Sequence, residues 1–363
     1  MATIYDVAKV AKVSPKTVSR VLNGDAPVGE KTRKAVQAAI QQLGYVPSIA
    51  ARAMRSNKSG LVGLITGAIS LSPQQTETAG LPDLFIVQGI QKALEASGKT
   101  LLISDTGGRM ERVPDLMRTF EEHRVEGIIY VADHHKKVAL PPMMTDTKLV
   151  LANCYDERGT PAVLPNDYEG QKMLVQALIA KGHQRIAYIS LNETLDATRL
   201  RTAGYCDALQ SAGLAIDPDL IIPADLDSND ADAEVQLLWD AIDRVLKLAD
   251  RPTVICFGND RMAMRAYGIL RSRGVSLPDE LSVAGYDNHR LITETLYPTL
   301  TSVELPYAAM GVRAAQILAA LIRGEPAPSN EPLLVSGPLH WGNSVLTRPS
   351  PLIQLSSLGR KTR

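Results

Sequence analysis

Along residues 3–23, TIYDVAKVAKVSPKTVSRVLN, apolar side chains fall at Ile4, Val7, Ala8 and Ala11, stop at Lys12-Val13-Ser14, and resume at Val18, Val21 and Leu22. That spacing predicts two short amphipathic helices joined by a tight turn. Thr3 is placed to cap the first and Ser14 the second, with Pro15 at the first helical position, where its missing N–H costs nothing. After a loop over 24–28, residues 30–43 predict a third helix with Val36, Ile40 and Leu43 on one side and Gly44 as its stop. Three such helices make a headpiece with a very small core, marginal unless neighbours or a ligand steady it.

From Leu61 the pattern changes. Short apolar runs alternate with amphipathic segments: LVGLI, 84–97, TLLIS, 113–123, GIIYV and KLVLAN, then, after Asn166, 171–180, RIAYIS, 200–212, 235–248, TVICFG, 262–273 and SVAGY. Runs apolar enough to be buried on both faces, separated by helices, predict parallel sheets covered by helices. The strands are too many for one tidy sheet, and the two halves share a rhythm. Two α/β subdomains follow, with a cleft between them and ligands beyond the carboxyl ends of the strands.

Composition sharpens this picture in three ways. A chain of 363 residues exceeds one typical domain. No run approaches the ~20 apolar residues of a membrane span, and residues 1–22 carry charges where a signal peptide would be apolar, so a cytoplasmic protein without a membrane partner is expected. Residues 1–58 hold ten basic and three acidic side chains, a net +7, against −7 for the remainder. A basic head on an acidic body suits a phosphate-binding module joined to a part that should avoid DNA. Cys154, Cys206 and Cys256 are odd in number and widely spaced, which suggests neither a disulfide framework nor a zinc site.

On the second helix Pro15, Lys16, Thr17, Ser19 and Arg20 face outward, as residues reading base edges and phosphates must. A surface hairpin would use the same residues, and spacing alone leaves both open. The spelling decides. DVAKVAKVSPKTVSRVLNG, with GYVP at 44–47 and ARAM at 51–54, closely resembles the N-terminal signature of the lactose-repressor (LacI/GalR) family of bacterial transcription regulators. The resemblance implies a helix-turn-helix headpiece over 1–46, a double-stranded DNA operator as partner, and a homodimer. It implies DNA contacts from Thr3, Ser14, Pro15, Lys16, Thr17, Ser19, Arg20, Asn23 and Tyr45, and from Ala51, Met54 and Arg55 in a hinge helix over 47–59. Two such hinges, one per subunit, pair in the minor groove in this family, and Met54 stands where a leucine wedges between base pairs. Lys12 departs from the glycine or asparagine usual in the turn; a left-handed backbone there costs a lysine about 1 kcal/mol.

The body carries the same family's spelling: KGH at 181–183, RTAGY from Arg201, Asn259-Asp260, and LSVAGYD at 281–287. The resemblance implies the fold of periplasmic sugar-binding proteins over 60–346. Its chain would cross between subdomains near Leu164, Leu291 and Gly324, giving an N-subdomain of 60–163 and 292–323 and a C-subdomain of 164–291 and 324–346. Asn166-Asp167 reverses the family's usual Asp-Asn order. Carried over position by position, the effector contacts are Asn153, Arg201, Asn259 and Asp287, with Phe85 as an apolar face. Carboxylates and amides accepting from hydroxyls, with a guanidinium donating, suit a sugar. The family also binds purines, so a nucleobase is the second expectation. Each residue has a structural use as well: Asp287 or Asn259 at a helix cap or turn, Arg201 as a bridge.

Residues 70–82, around LSPQQTETAG, exceed the family pattern and would overhang the cleft or form a surface loop. His134 and His135 beside Asp133 lack further ligands at zinc spacing, and no metal or other cofactor is expected. No nucleophile-base motif, phosphate-cradling loop or dinucleotide fingerprint is present, so the chain reads as a non-enzyme. The tail over 347–363 reads as disordered, without the leucine heptads of a coiled coil.

Overall fold

The computed structural model describes residues 2–24, 28–46, 59–67, 81–226, 230–329 and 331–349. All but Ser59 of the expected hinge helix over 47–59, the body of the 70–82 insertion and most of the 347–363 tail lie outside the described residues.

The headpiece has three helices, α1 (Ile4–Ala11), α2 (Pro15–Asn23) and α3 (Glu30–Leu43). Thr3 caps α1 in a capping box with Asp6, and Ser14 caps α2 by accepting from the Thr17 N–H at 3.1 Å. Lys12 does take the left-handed backbone, with φ 53°. Its cost is offset at the helix end, where the Val13 N–H reaches the Ala8 carbonyl at 3.0 Å and Val13 packs on the headpiece core. That core is Val7, Ala8, Val18, Val36 and Ala39, ringed by half-buried residues that include Tyr45.

The first sheet of the body contains β1 (Leu61–Thr66), β2 (Thr100–Asp105), β3 (Gly127–Lys137), β4 (Lys148–Tyr155) and β5 (Ala162–Pro165), all parallel. Helices α4 (Leu81–Glu95) and α5 (Val113–Glu122) alternate with them. The second unit follows with α6 (Asp167–Ala180), β6 (Ile186–Ser190), α7 (Asp196–Ser211), β7 (Ile221–Pro223), α8 (Ala231–Leu246), β8 (Val254–Phe257), α9 (Asp260–Ser272) and β9 (Ser282–Asp287). Then come α10 (Arg290–Thr293), β10 (Thr301–Glu304), α11 (Tyr307–Ile322), β11 (Leu333–Val335) and β12 (Leu339–His340). Strand order is β11-β5-β4-β3-β1-β2 in one sheet and β12-β10-β9-β8-β6-β7 in the other. In each the order reverses about the first strand, β1 or β6, where open α/β sheets place their ligands.

The chain passes between sheets after Pro165, at 305–306 and at 336–338. Two of these differ from the crossings expected near Leu291 and Gly324. Strand β10 keeps the chain in the second sheet ten residues beyond Leu291, because its polar Thr301 and Ser302 are buried and satisfied: the Thr301 N–H donates to Ser344 and the Ser302 hydroxyl to Asp260. Past Gly324, β11 still pairs with β5. The sheets thus divide the described residues of the body at 59–165 with 307–335, and 167–304 with 339–340.

Helices α4 and α11 share one face of the first sheet, and their buried Ile86, Val87, Ile90, Leu94, Met310, Ala314, Ile317 and Leu318 form its core. They cross at Gly89 and Gly311. A β-carbon on Gly89 would stand 2.1 Å from the Ala308 carbonyl oxygen, and one on Gly311 2.1 Å from that of Ile86. Alanine gains about 1 kcal/mol of helix propensity over glycine, but here it collides with backbone that cannot rotate aside. Gly311→Ala is therefore expected to destabilise the body by about 1–3 kcal/mol, read as a lowered midpoint in urea unfolding; an unchanged or raised midpoint would show that the helices can part.

Candidate functional site

The headpiece presents its cations on α2. Lys16 and Arg20 are exposed, while Pro15, Thr17 and Ser19 are half-buried. The Ser14 hydroxyl is engaged by the cap and by the Thr17 hydroxyl at 2.9 Å, and the Thr3 hydroxyl donates to Asp6 at 2.7 Å. Both residues thus serve helix starts. Tyr45 packs on the headpiece core instead of standing free. Asn23 ends α2, its side chain undescribed, and Ala51, Met54 and Arg55 lie outside the described residues. Tyr5, absent from the contacts the resemblance implies, is 72% exposed on α1 and offers an aromatic ring and hydroxyl.

In the body, Asn153, Arg201, Asn259 and Asp287 come together around one cavity of about 150 Å³ between the two sheets. Asn153 stands near the end of β4 and Asp287 at the end of β9, while Asn259 follows β8 and Arg201 projects from α7. His134, His135 and Asn153 line it from the first sheet; Asp167, Arg201, Asn259 and Asp287 line it from the second unit. Phe85 is not among the lining residues: on α4 it is 45% exposed.

Arg201 is fully enclosed. Its Nε donates to Asp167 Oδ1 at 2.8 Å, its Nη1 to the Gly258 carbonyl at 2.6 Å, and its guanidinium lies 3.7 Å from the centre of the Tyr286 ring. The other Asp167 oxygen is 2.9 Å from His135 Nδ1. Burial opposes ionisation of Asp167, but Arg201 and His135 outweigh it and hold the carboxyl below its usual range. The reversed Asn166-Asp167 order thereby resolves: Asn166 accepts from the Glu169 N–H as the α6 cap, and Asp167 turns into the cleft.

Asp287 has the opposite environment. Burial pushes its carboxyl up to about 7 against the pull of Arg201, with the Asp167 charge adding to the rise. Nearby Asp260 is also raised, by burial and then by Asp287, although it accepts from the Ser302 hydroxyl at 2.6 Å and the His289 N–H at 2.7 Å. Asn259 caps α9, its Oδ1 accepting from the Met262 N–H at 2.8 Å, which leaves its amide N–H groups as donors. Asn153 and Asp287 both hold positive φ, 60° and 115°, a strain of about 1–3 kcal/mol each of the kind stored at functional sites.

Sequence reasoning missed Asp167 and His135 as cleft residues. The inverted Asn-Asp pair was the available signal for the first. The second was weighed only as a metal ligand; it enters the cleft because β3 runs on past a register shift between Val131 and Lys136.

Residues 3–48 match the model of bacterial regulatory proteins of the lacI family, and residues 175–345 that of a periplasmic binding protein-like domain. The HTH-type transcriptional repressor PurR of Vibrio campbellii is 31% identical over 321 residues, 88% of this chain and 91% of that one. A lac repressor dimer bound to operator and the anti-inducer ONPF superposes with a TM-score of 0.75 at 25% identity, covering 95% of this chain and 99% of that one. A complex of the transcriptional regulator CelR with cellobiose gives a TM-score of 0.63 at 28% identity, covering 95% and 100%.

Two outcomes follow from the cleft's charges. Arg201→Ala leaves Asp167 buried with its main counter-ion gone, so a stability loss of about 3–5 kcal/mol is expected in denaturant unfolding; a loss below that of a surface substitution would mean the pair is not buried in solution. Asp287 binds its proton more tightly folded than unfolded, so its contribution to stability falls as pH rises from about 4 through about 7. Asp287→Asn is expected to flatten that part of a melting-temperature profile against pH, and an unaltered slope would refute the raised carboxyl.

Proposed function

The chain belongs to the lacI family of bacterial regulatory proteins and is a DNA-binding transcription repressor, and on that premise we propose how it is controlled. It acts as a homodimer whose two headpieces hold the halves of an operator. A small uncharged ligand in the cleft sets the orientation of the subdomains and so the spacing of the segments leading to the headpieces. The observation that carries this is the lining of one cavity from both sheets, by His135 and Asn153 on one side and Arg201, Asn259 and Asp287 on the other. A ligand touching both sides has different affinities for open and closed arrangements, which is the only way it can shift their balance. The expected coupling to operator affinity is about 1–3 kcal/mol.

A nucleobase is the first candidate for that ligand. It is supported by relatives named PurR at 30–31% identity over most of the chain, and by a cavity of about 150 Å³, small beside the ~300–1,000 Å³ of drug-sized sites. A sugar is the second reading, supported by the similarity to the CelR–cellobiose complex and by the amide and carboxylate lining.

Binding to the native state raises the melting temperature in proportion to affinity and excess. Guanine, hypoxanthine and adenine should each be compared with glucose and cellobiose, using Asp287→Asn as the cleft control because Arg201→Ala weakens the fold itself. A rise with purines that the variant loses supports the first reading; a rise with sugars alone moves the assignment to the second; no rise with any of them counts against both.

On the DNA side, Arg20→Ala should cost about 1–3 kcal/mol of binding to an operator selected from a random pool, read by fluorescence anisotropy. Equal weakening on operator and random DNA would reduce Arg20 to a phosphate contact.

A further inference from the structure

Two acceptors on the first-sheet wall of the cavity have no hydrogen-bond partner among the described residues. The Asn153 amide donates its Nδ2–H to the Ala132 carbonyl at 3.1 Å, which fixes how the amide faces and leaves Oδ1 buried and unpaired. Asn153 itself is 1% exposed. The second acceptor is on His135. Its Nδ1 lies 2.9 Å from Asp167 Oδ2, and an ionised carboxylate only accepts, so whenever the ring is neutral its one proton sits on Nδ1. Nε2 is then a lone pair, without a hydrogen-bond partner among the described residues, on a side chain that lines the cavity. His135 and Asn153 immediately precede the paired residues Lys136 and Cys154 on adjoining strands. The imidazole is held from the side by Tyr155, edge-on at 6.0 Å and 80°, whose hydroxyl reaches across the cleft to Asp196 at 3.0 Å.

We propose that His135 is a specificity-determining residue of this cleft. Asp167 holds it in the Nδ1–H tautomer, so Nε2 and Asn153 Oδ1 together present acceptors to the effector. The ligand that fits turns two donor hydrogens, amino, ring N–H or hydroxyl, toward this wall, and an anionic edge such as a phosphate is rejected there. Arg201 offers no rescue for such an anion, because Asp167 already neutralises it. The assignment rests on the cavity being the effector site proposed above.

The test is a two-bond proton–nitrogen correlation spectrum of the full-length protein with isotope-labelled histidine, the His135 signals being those lost in His135→Asn. The expected spectrum has a protonated Nδ1 and an unprotonated Nε2 at His135, and Asp167→Asn abolishes that preference. Guanine, which carries ring N–H and amino donors on one edge, should move the Nε2 resonance. His135→Asn keeps a donor for Asp167 but has no atom at the Nε2 position. It should therefore bind guanine at least roughly fivefold more weakly, the size of one lost hydrogen bond, while the ligand-free variant still unfolds in one cooperative transition. A protonated Nε2 in the free protein overturns the proposal. So does an Nε2 signal that a bound purine or sugar leaves unmoved, or tighter binding of guanosine monophosphate than of guanine. Failure of every compound to bind overturns the effector reading instead, and is recognised because the ligand-free tautomer still appears.

Discussion

The body is organised around a buried charge that cannot be left alone. Removing a guanidinium from water costs several kcal/mol unless its partners are in place, and Arg201 is placed where each partner comes from a different element. Asp167 opens α6, Gly258 follows β8, Tyr286 lies in β9, and Arg201 itself is on α7. Through His135 on β3 the same chain of contacts reaches the other sheet. Relative movement of the two units at this point must break or remake a contact to an ionised carboxylate, so intermediate positions are disfavoured.

Around this anchor the cleft is left deliberately incomplete. Asp287 is raised to about 7 by burial, and Asn153 keeps an unpaired buried oxygen in a left-handed backbone. Buried polar atoms normally find partners, and strained backbone persists only where the surroundings impose it. Both features lie on the cavity wall, on opposite sides. The same ion pair that stabilises the body also consumes the positive charge of Arg201.

The headpiece obeys different physics. Its core is five small buried residues, and much of its definition comes from caps: the Thr3–Asp6 box and the Ser14–Thr17 pair. Hydroxyls that looked available for DNA are thereby committed to helix starts, and the exposed cations Lys16 and Arg20 remain as the free chemistry of α2.

Residue order alone determined the three headpiece helices, because caps and helical periodicity are local, and α3 begins and ends at Glu30 and Leu43 as its spacing predicts. It determined the alternating α/β class, because doubly buried strands must be apolar along their length. It determined the family as well, since the motif spellings at both ends of the chain match. It did not reveal β10, whose Thr301 and Ser302 read as polar and are buried only because Ser344 and Asp260 receive them; the crossing expected near Leu291 therefore falls at 305–306. Nor did it reveal that Asp167 and His135, 32 positions apart, meet across the cleft, or that Phe85 is not among the residues lining the cavity. These facts depend on which side chains two separate sheets bring within hydrogen-bonding distance. Neither periodicity nor motif encodes that distance, so only the packed tertiary structure could decide it.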